Sequence, residues 1–331
     1  MPFKRARNLF SIVYLVCAFL ITGCAGFYDY ATKGVPLVYA FSSDGGILTI
    51  HIASEESHYA FEQTLAFTPS GISVNGRSQI MAWDASTTYV SQDGFSSLTS
   101  WTGSPLEAPI GLNDNFILPD NSDFMTFDMD TGTWTLAHTF SGAGSPITNI
   151  FQGQGQEAYF CVNNAPTSLD IYRLYESGST LVSSNTYPTM PGSFTTGFRY
   201  GDTFYLCNTI TTLENVFVVK NGVATSLNPT FVSGNSVSSI AVTEAGGIYL
   251  IVNTGGAFEL RQISAVDTII TVISLGTSGS FTMPPLGRNR LVIAANSADT
   301  GYNGLYIFDI EKNAITTHFT DSDTFAVCAV Y

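Results

Sequence analysis

The stretch "FMTFDMDTGTWTLAH", residues 124–138, decides the fold. An apolar run reaches Phe127, turn residues follow from Asp128 to Gly132, and Thr133 and Thr135 then alternate with Trp134 and Leu136. Alternation with period two on either side of an Asp/Gly turn predicts a β-hairpin with one face buried. Six more stretches have the same form: 36–52, 87–101, 169–184, 214–228, 257–273 and 304–319. Their starts are 51, 37, 45, 45, 43 and 47 residues apart in chain order. A repeat of roughly 40 to 50 residues indicates a propeller or a solenoid.

A second strand pair precedes most of these hairpins, at 109–120, 147–163, 194–208, 238–253 and 281–296. Four antiparallel strands per repeat, repeated seven times, predict an all-β fold, a seven-bladed β-propeller; six or eight blades remain open. Helical periodicity is absent after the leader, which removes α/β folds. One lone strand, "TFAVCAVY" at 324–331, follows the last hairpin and is expected to close blade one, removing the exposed edges of the ring. Blade one is also a place where Phe27–Thr32 could join.

Two turns, Ser42–Gly46 and Ser91–Gly94, resemble the Asp-box of sialidases and related propellers, although both lack the Thr-Trp that follows in the family. That box is a structural turn, so the resemblance implies a propeller and not a sialidase. Phe127–Trp134, "FDMDTGTW", is similar to the hairpins of kelch and quinoprotein-type repeats. It covers a single blade, and no functional residue is carried over.

The N-terminus carries a different signal. Lys4, Arg5 and Arg7 precede an uncharged run from Leu9 to Ile21, the layout of a secretory leader. About thirteen apolar residues are too few for a membrane span, which needs roughly 20. Ile21-Thr22-Gly23-Cys24 then resembles the lipobox of bacterial lipoproteins. The resemblance implies a leader cleaved at residues 1–23, a diacylglyceryl thioether on Cys24, a short acylated linker over 24–34 and a propeller over 35–331. Ala25 stands where the inner-membrane retention signal of many such proteins has Asp, pointing to the outer membrane or the cell surface.

Loss of the leader removes three basic and no acidic residues, leaving nine Lys plus Arg against 26 Asp plus Glu, a formal −17 over 308 residues. Such a chain repels nucleic acid and anionic headgroups. Its partners are expected to be the membrane, through the lipid, and a protein or glycan. Cys161, Cys207 and Cys328 lie in apolar strand-like runs, where a buried free thiol is the expected state, with a disulfide between two of them as the alternative. No CxxC or Cys/His cluster supports zinc, and no cofactor is expected.

Chemical candidates are few. The basic residues Arg77, Arg173, Arg199, Arg261, Arg288 and Arg290 form no sialidase-like motif, and no catalytic residue is assigned. Glu55, Glu56 and Glu157 fall near turns and read as solvated turn residues. His51, His58, His138 and His318 are scattered, the last two at matching late hairpin positions. Asp120, Asp123, Asp128 and Asp130 lack the calcium-loop pattern and read as turn formers. Tyr187, Phe194, Phe198 and Tyr200 crowd the connection between blades four and five. They are candidates for sugar or peptide contact, with inter-blade packing as the competing use.

The leading functional reading is therefore a non-enzymatic, lipid-anchored binding or protein-interaction module of the cell envelope. The second is a glycosidase or lyase with carboxylates around the central channel, and the third a scaffold in envelope assembly.

Overall fold

The computed structural model describes residues 37–330 except 43–45, 52–60, 65–68, 78, 92–97, 143–146, 148–149, 155–156, 166–167, 187–193, 195, 208–215, 228–235, 264–268, 288, 297–302 and 320–324. The chain divides into two units, Met1–Val35, which lies outside the described residues, and Pro36–Tyr331. No α-helix occurs among the described residues.

Pairing groups the strands into successive antiparallel meanders. The first begins with β1 (Leu37–Ser42), β2 (Gly46–His51) and β3 (Phe61–Thr64). The second holds β4 (Gly71–Val74), β5 (Ile80–Trp83), β6 (Thr87–Ser91) and β7 (Leu98–Thr102). The third holds β8 (Ile110–Leu112), β9 (Asn115–Asp120), β10 (Asp123–Asp128) and β11 (Thr133–Thr139). The fourth holds β12 (Ile150–Gly153), β13 (Ala158–Ala165), β14 (Ser168–Tyr175) and β15 (Gly178–Thr186). The fifth holds β16 (Thr196–Tyr200), β17 (Thr203–Cys207), β18 (Val216–Lys220) and β19 (Val223–Ser226). The sixth holds β20 (Ser236–Thr243), β21 (Ile248–Asn253), β22 (Phe258–Ile263) and β23 (Ile269–Gly276). The last holds β24 (Ser280–Thr282), β26 (Arg290–Asn296), β27 (Gly304–Asp309) and β28 (Ala314–Phe319), with the two-residue β25 (Leu286–Gly287) pairing parallel to β20.

The final strand, β29 (Phe325–Val330), returns to the start. It pairs antiparallel with β1 in the register Leu37↔Val330 to Ser42↔Phe325, completing the sheet β29-β1-β2-β3. The inner strands then neighbour one another around a ring: β29 beside β4, β4 beside β8, β8 beside β12, β12 paired with β16, β16 beside β20 and β20 beside β24, and the second strand of the last blade, β26, lies beside β29 to complete the circuit. This is a closed β-propeller, in which pairing of the two chain ends removes the free edge of an open sheet. One detail differs from the sequence expectation. In later blades the hairpin quoted from the repeat forms the outer two strands, whereas residues 36–52 form the middle two of blade one, with β29 inside and β3 outside. That shift of one strand accounts for the long first interval of 51 residues. The Asp-box-like turns fall at 43–45 and 92–97, outside the described residues, as do Phe27–Thr32.

The core lies between blades. Strand alternation sends one set of side chains toward each neighbouring blade, so the buried clusters join blades two and three around Met81, Phe116 and Phe127, three and four around Phe124 and Phe160, four and five around Tyr159 and Phe217, five and six around Cys207 and Leu250, and six and seven around Tyr249 and Phe308. Phe rings dominate the largest fully buried side chains. Burying each is favourable by roughly 1.5–3 kcal/mol.

The turn of residues 128–132 shows how one blade registers on the next. Asp128 Oδ1 accepts the backbone N–H of Asp130 at 2.9 Å and of Thr131 at 3.3 Å, which closes an Asx turn. Gly132 has φ +69°, and a Cβ there would lie 1.7 Å from Cδ1 of Trp101 on the preceding blade. The Trp101 ring also meets Phe127 edge-on at 5.3 Å, and Phe127 meets Trp134 at 5.1 Å. Gly132→Ala is therefore expected to cost roughly 2–3 kcal/mol, from left-handed strain plus displacement of the indole. A urea midpoint lowered at unchanged slope is the check.

Blades two and three are also joined by a buried amide. Asn75, fully buried, donates through Nδ2 to Gln79 Oε1 (2.7 Å) and the Asp114 carbonyl (2.8 Å), and its Oδ1 accepts the N–H of Arg77 and of Gln79, both at 3.0 Å. All four hydrogen-bonding positions of the amide are used.

Candidate functional site

The counterpart of that joint between blades four and five is ionic and open. The β12–β13 turn, the β14–β15 turn, the β16–β17 turn and the β18–β19 turn share one face of the ring, because each follows the same strand direction. Parallel pairing of β12 with β16 (Gln152↔Phe198, Gly153↔Arg199) holds the inner ends together. Outward from this seam the blades diverge, leaving a wedge of about 270 Å³. Tyr159, Arg173, Tyr175 and Ser183 line it from blade four, and Arg199, Phe204 and the Asn221–Gly222 turn from blade five.

Glu157 organises the charges. Its Oε2 accepts from Arg199 Nη1 at 2.6 Å and from the Tyr159 hydroxyl, while its Oε1 faces Arg173 Nη2 at 3.0 Å. Tyr159 in turn accepts from Arg199 Nη1. The Arg199 guanidinium lies over the rings of Tyr159 (5.4 Å) and Phe204 (5.7 Å), a cation–π arrangement. Gly153 makes room for the group: a Cβ there would stand 2.8 Å from the Tyr159 ring and 3.2 Å from Glu157 Oε2. Beside it, the Gly201 N–H donates to Gln154 Oε1 at 3.0 Å, tying the two inner turns together.

Burial first, and then the hydrogen bond and charge of Glu157, push the Tyr159 phenol up to about 12, against the opposite pull of Arg199. Tyr159 is thus a neutral donor at physiological pH. Desolvation works against the charge of Arg199, yet the Tyr159 and Glu157 interactions outweigh it and raise the guanidinium pKa. Glu157 takes three donors and acts as a positioning group for two arginines. Glu157→Gln leaves those arginines facing one another without a full countercharge. Its side chain is 20% exposed, so the expected cost is roughly 1–3 kcal/mol, below that of a fully buried pair. Thermal unfolding of the variant beside the parent tests this.

The sequence candidates distribute differently from expectation. Phe194 is 5% exposed and meets Phe217 edge-on at 5.6 Å, and Phe198 is wholly buried with Val242. These two are inter-blade core, so they offer no face to a ligand; the competing packing use is the one their positions impose. Tyr200 packs part-buried against the same Phe198 cluster, and Tyr187 lies outside the described residues. Glu157 is no solvated turn residue but the centre of the wedge. Glu55, Glu56 and His58 lie outside the described residues, as do the side chains of His51 and His318. His138 stacks on Phe124 at 6.2 Å and faces Ser179 Oγ at 3.5 Å.

Asp128 serves its turn, Asp123 accepts from Thr139 Oγ1 at 2.6 Å, and Asp120 accepts from Asn121 Nδ2 at 3.0 Å. Among the described residues no group of three or more His, Cys, Asp or Glu could hold a metal ion. Cys161 and Cys207 are not in a disulfide, and burial pushes both thiol pKa values up, which disfavours the reactive thiolate; the Cys328 side chain lies outside the described residues.

No family model matches the chain, and no curated protein matches it in sequence. Solved structures do. Apo AztD from Citrobacter koseri aligns with TM-score 0.54 at 11% identity over 89% of this chain and 98% of that one. A protein from Lactobacillus plantarum aligns with TM-score 0.55 at 14% identity, again over 89% and 98%. Virginiamycin B lyase from Staphylococcus aureus aligns with TM-score 0.52 at 13% identity over 77% of this chain and 84% of that one. The shared feature is the fold. This chain is a β-propeller. At such identities the propeller shares architecture with these proteins, and its function has to be argued from its own residues.

Proposed function

We propose that this propeller is a lipid-anchored module of the bacterial cell envelope, held through Cys24 to the outer membrane, that binds a protein or glycan without transforming it. The observation that carries the binding reading is the composition of the ring's inner strands. β4, β8, β12, β16, β20, β24 and β29 contain no Asp or Glu, and Arg199 is their one charged residue. Glycoside chemistry at a channel needs a pair of carboxyl groups roughly 5–9.5 Å apart. The inner strands supply none, and Arg199 is already committed to Glu157 and Tyr159. The anchoring half of the reading rests on the basic start, the uncharged Leu9–Ile21 run and the lipobox-like Ile21–Cys24.

The test is to incubate the purified protein with glycan fractions from its own envelope and to follow both retention and new chain ends. A binding module retains a fraction saturably and returns it unchanged. Newly formed reducing ends or unsaturated uronate products would overturn this in favour of a hydrolase or a lyase.

A further inference from the structure

We propose that the wedge between blades four and five binds a small monocarboxylate, its carboxylate held by Arg173 and its body resting between Tyr175 and the Asn221–Gly222 turn. This rests on the binding reading and names the ligand chemistry of one site. Arg173 spends Nη2 on Glu157, and its other N–H groups have no partner among the described residues. Its guanidinium is fixed at 5.2 Å over the Tyr175 ring, with the side chain 36% exposed on the wedge. A guanidinium anchored by one edge and stacked on an aromatic ring presents its remaining donors as a preset fork for a carboxylate.

Charge selects the ligand further. Arg173, Arg199 and the rim Lys220 face Glu157 and Asp202, with Lys220 Nζ 3.8 Å from Asp202 Oδ1. The group therefore keeps one surplus positive charge in a chain of net charge −14. One surplus charge suits a monoanion, and the acidic surroundings repel a dianion more strongly. The remaining lining is mixed. Tyr175 is 40% and Val182 44% exposed, giving apolar surface. Ser183 accepts from Asn185 Nδ2 at 2.9 Å, which leaves its own hydroxyl proton to donate outward. A wedge of about 270 Å³ is smaller than a drug-sized pocket and fits a single sugar acid.

The test is a titration of the purified full chain with D-glucuronate, D-glucose and inorganic phosphate, read by calorimetry and by the rise in melting temperature. Glucuronate is expected to bind saturably and glucose, its uncharged counterpart, much more weakly. Arg173→Gln is expected to weaken glucuronate binding by roughly tenfold or more, as loss of a charge-assisted fork does. Ser183→Trp, which fills the wedge and leaves the Glu157 ion pairs in place, is expected to abolish binding and serves if Arg173→Gln fails to fold. The proposal is overturned if glucuronate gives no saturable response, if glucose or phosphate binds as tightly, or if both variants bind like the parent. A protein that cleaves a glycan yet binds glucuronate through Arg173 would refute the non-enzymatic reading and spare this site.

Discussion

A chain ending at residue 323 is expected to lose its cooperative unfolding transition and to accumulate as aggregate. Truncation there removes β29, whose register with β1 runs from Leu37↔Val330 to Ser42↔Phe325. The direct loss is one complete antiparallel ladder. The larger loss is topological: β29 is the inner strand of blade one and also neighbours β4 and β26, so its removal separates blade one from both blades that flank it. Val38, Ala40 and Phe41, all fully buried, would then border an open sheet edge. Unpaired edges of apolar strands are templates for intermolecular pairing. Together these losses remove most of the roughly 5–15 kcal/mol by which an ordinary domain is stable. Scanning calorimetry and sedimentation of the truncated chain are the measurements. A soluble product with a single sharp transition near that of the parent would show that the ring does not depend on its last strand.

Cys24→Ser is expected to release the protein completely from the membrane fraction. Each acyl methylene buried in a bilayer contributes roughly 0.8 kcal/mol, so two or three chains hold firmly while none holds at all. The chain cannot compensate by attraction to anionic lipid, since its formal charge is −14 and the proposed loss of the leader would take it to −17. Serine cannot form the thioether, and the variant should be recovered in the soluble fraction with an unacylated N-terminal region by mass spectrometry. Equal membrane recovery of variant and parent would refute anchoring through Cys24.

Much of the architecture was legible because the propeller repeats a short-range pattern. Hairpins such as 124–138 and 304–319 declare themselves by alternation around Asp, Asn and Gly, and the lone strand at the C-terminus has no partner nearby in sequence, so it must pair with the start. Blade one was harder to phase. Its inner strand is some 290 residues away, and its outer strand is the four-residue "FEQT" of β3, too short and polar to stand out. The aromatics at 194–200 illustrate the limit of composition: a Phe in a loop-like segment and a Phe between two blades look alike until the blades are placed.

The wedge was illegible for a related reason. Glu157, Arg173 and Arg199 are 16 and 26 residues apart and meet only because turns of neighbouring blades share a face. The available clue was that a chain with so few basic residues places two of them beside turns of adjoining blades. Residue spacing alone carries no distance between blades.

Ring closure is the claim on which the blade arrangement and the wedge both depend, and one substitution tests it directly. Tyr39 and the native Cys328 are register partners across β1 and β29. Residues directly opposite in an antiparallel pair have Cβ atoms about 4.5–5.5 Å apart, close to the range a disulfide spans. Tyr39→Cys, oxidised mildly and digested, should therefore yield the peptide linked between positions 39 and 328 as its main crosslink. Recovery of both cysteines unlinked, or of position 39 joined to Cys161 or Cys207 instead, would contradict a propeller sealed by its two ends.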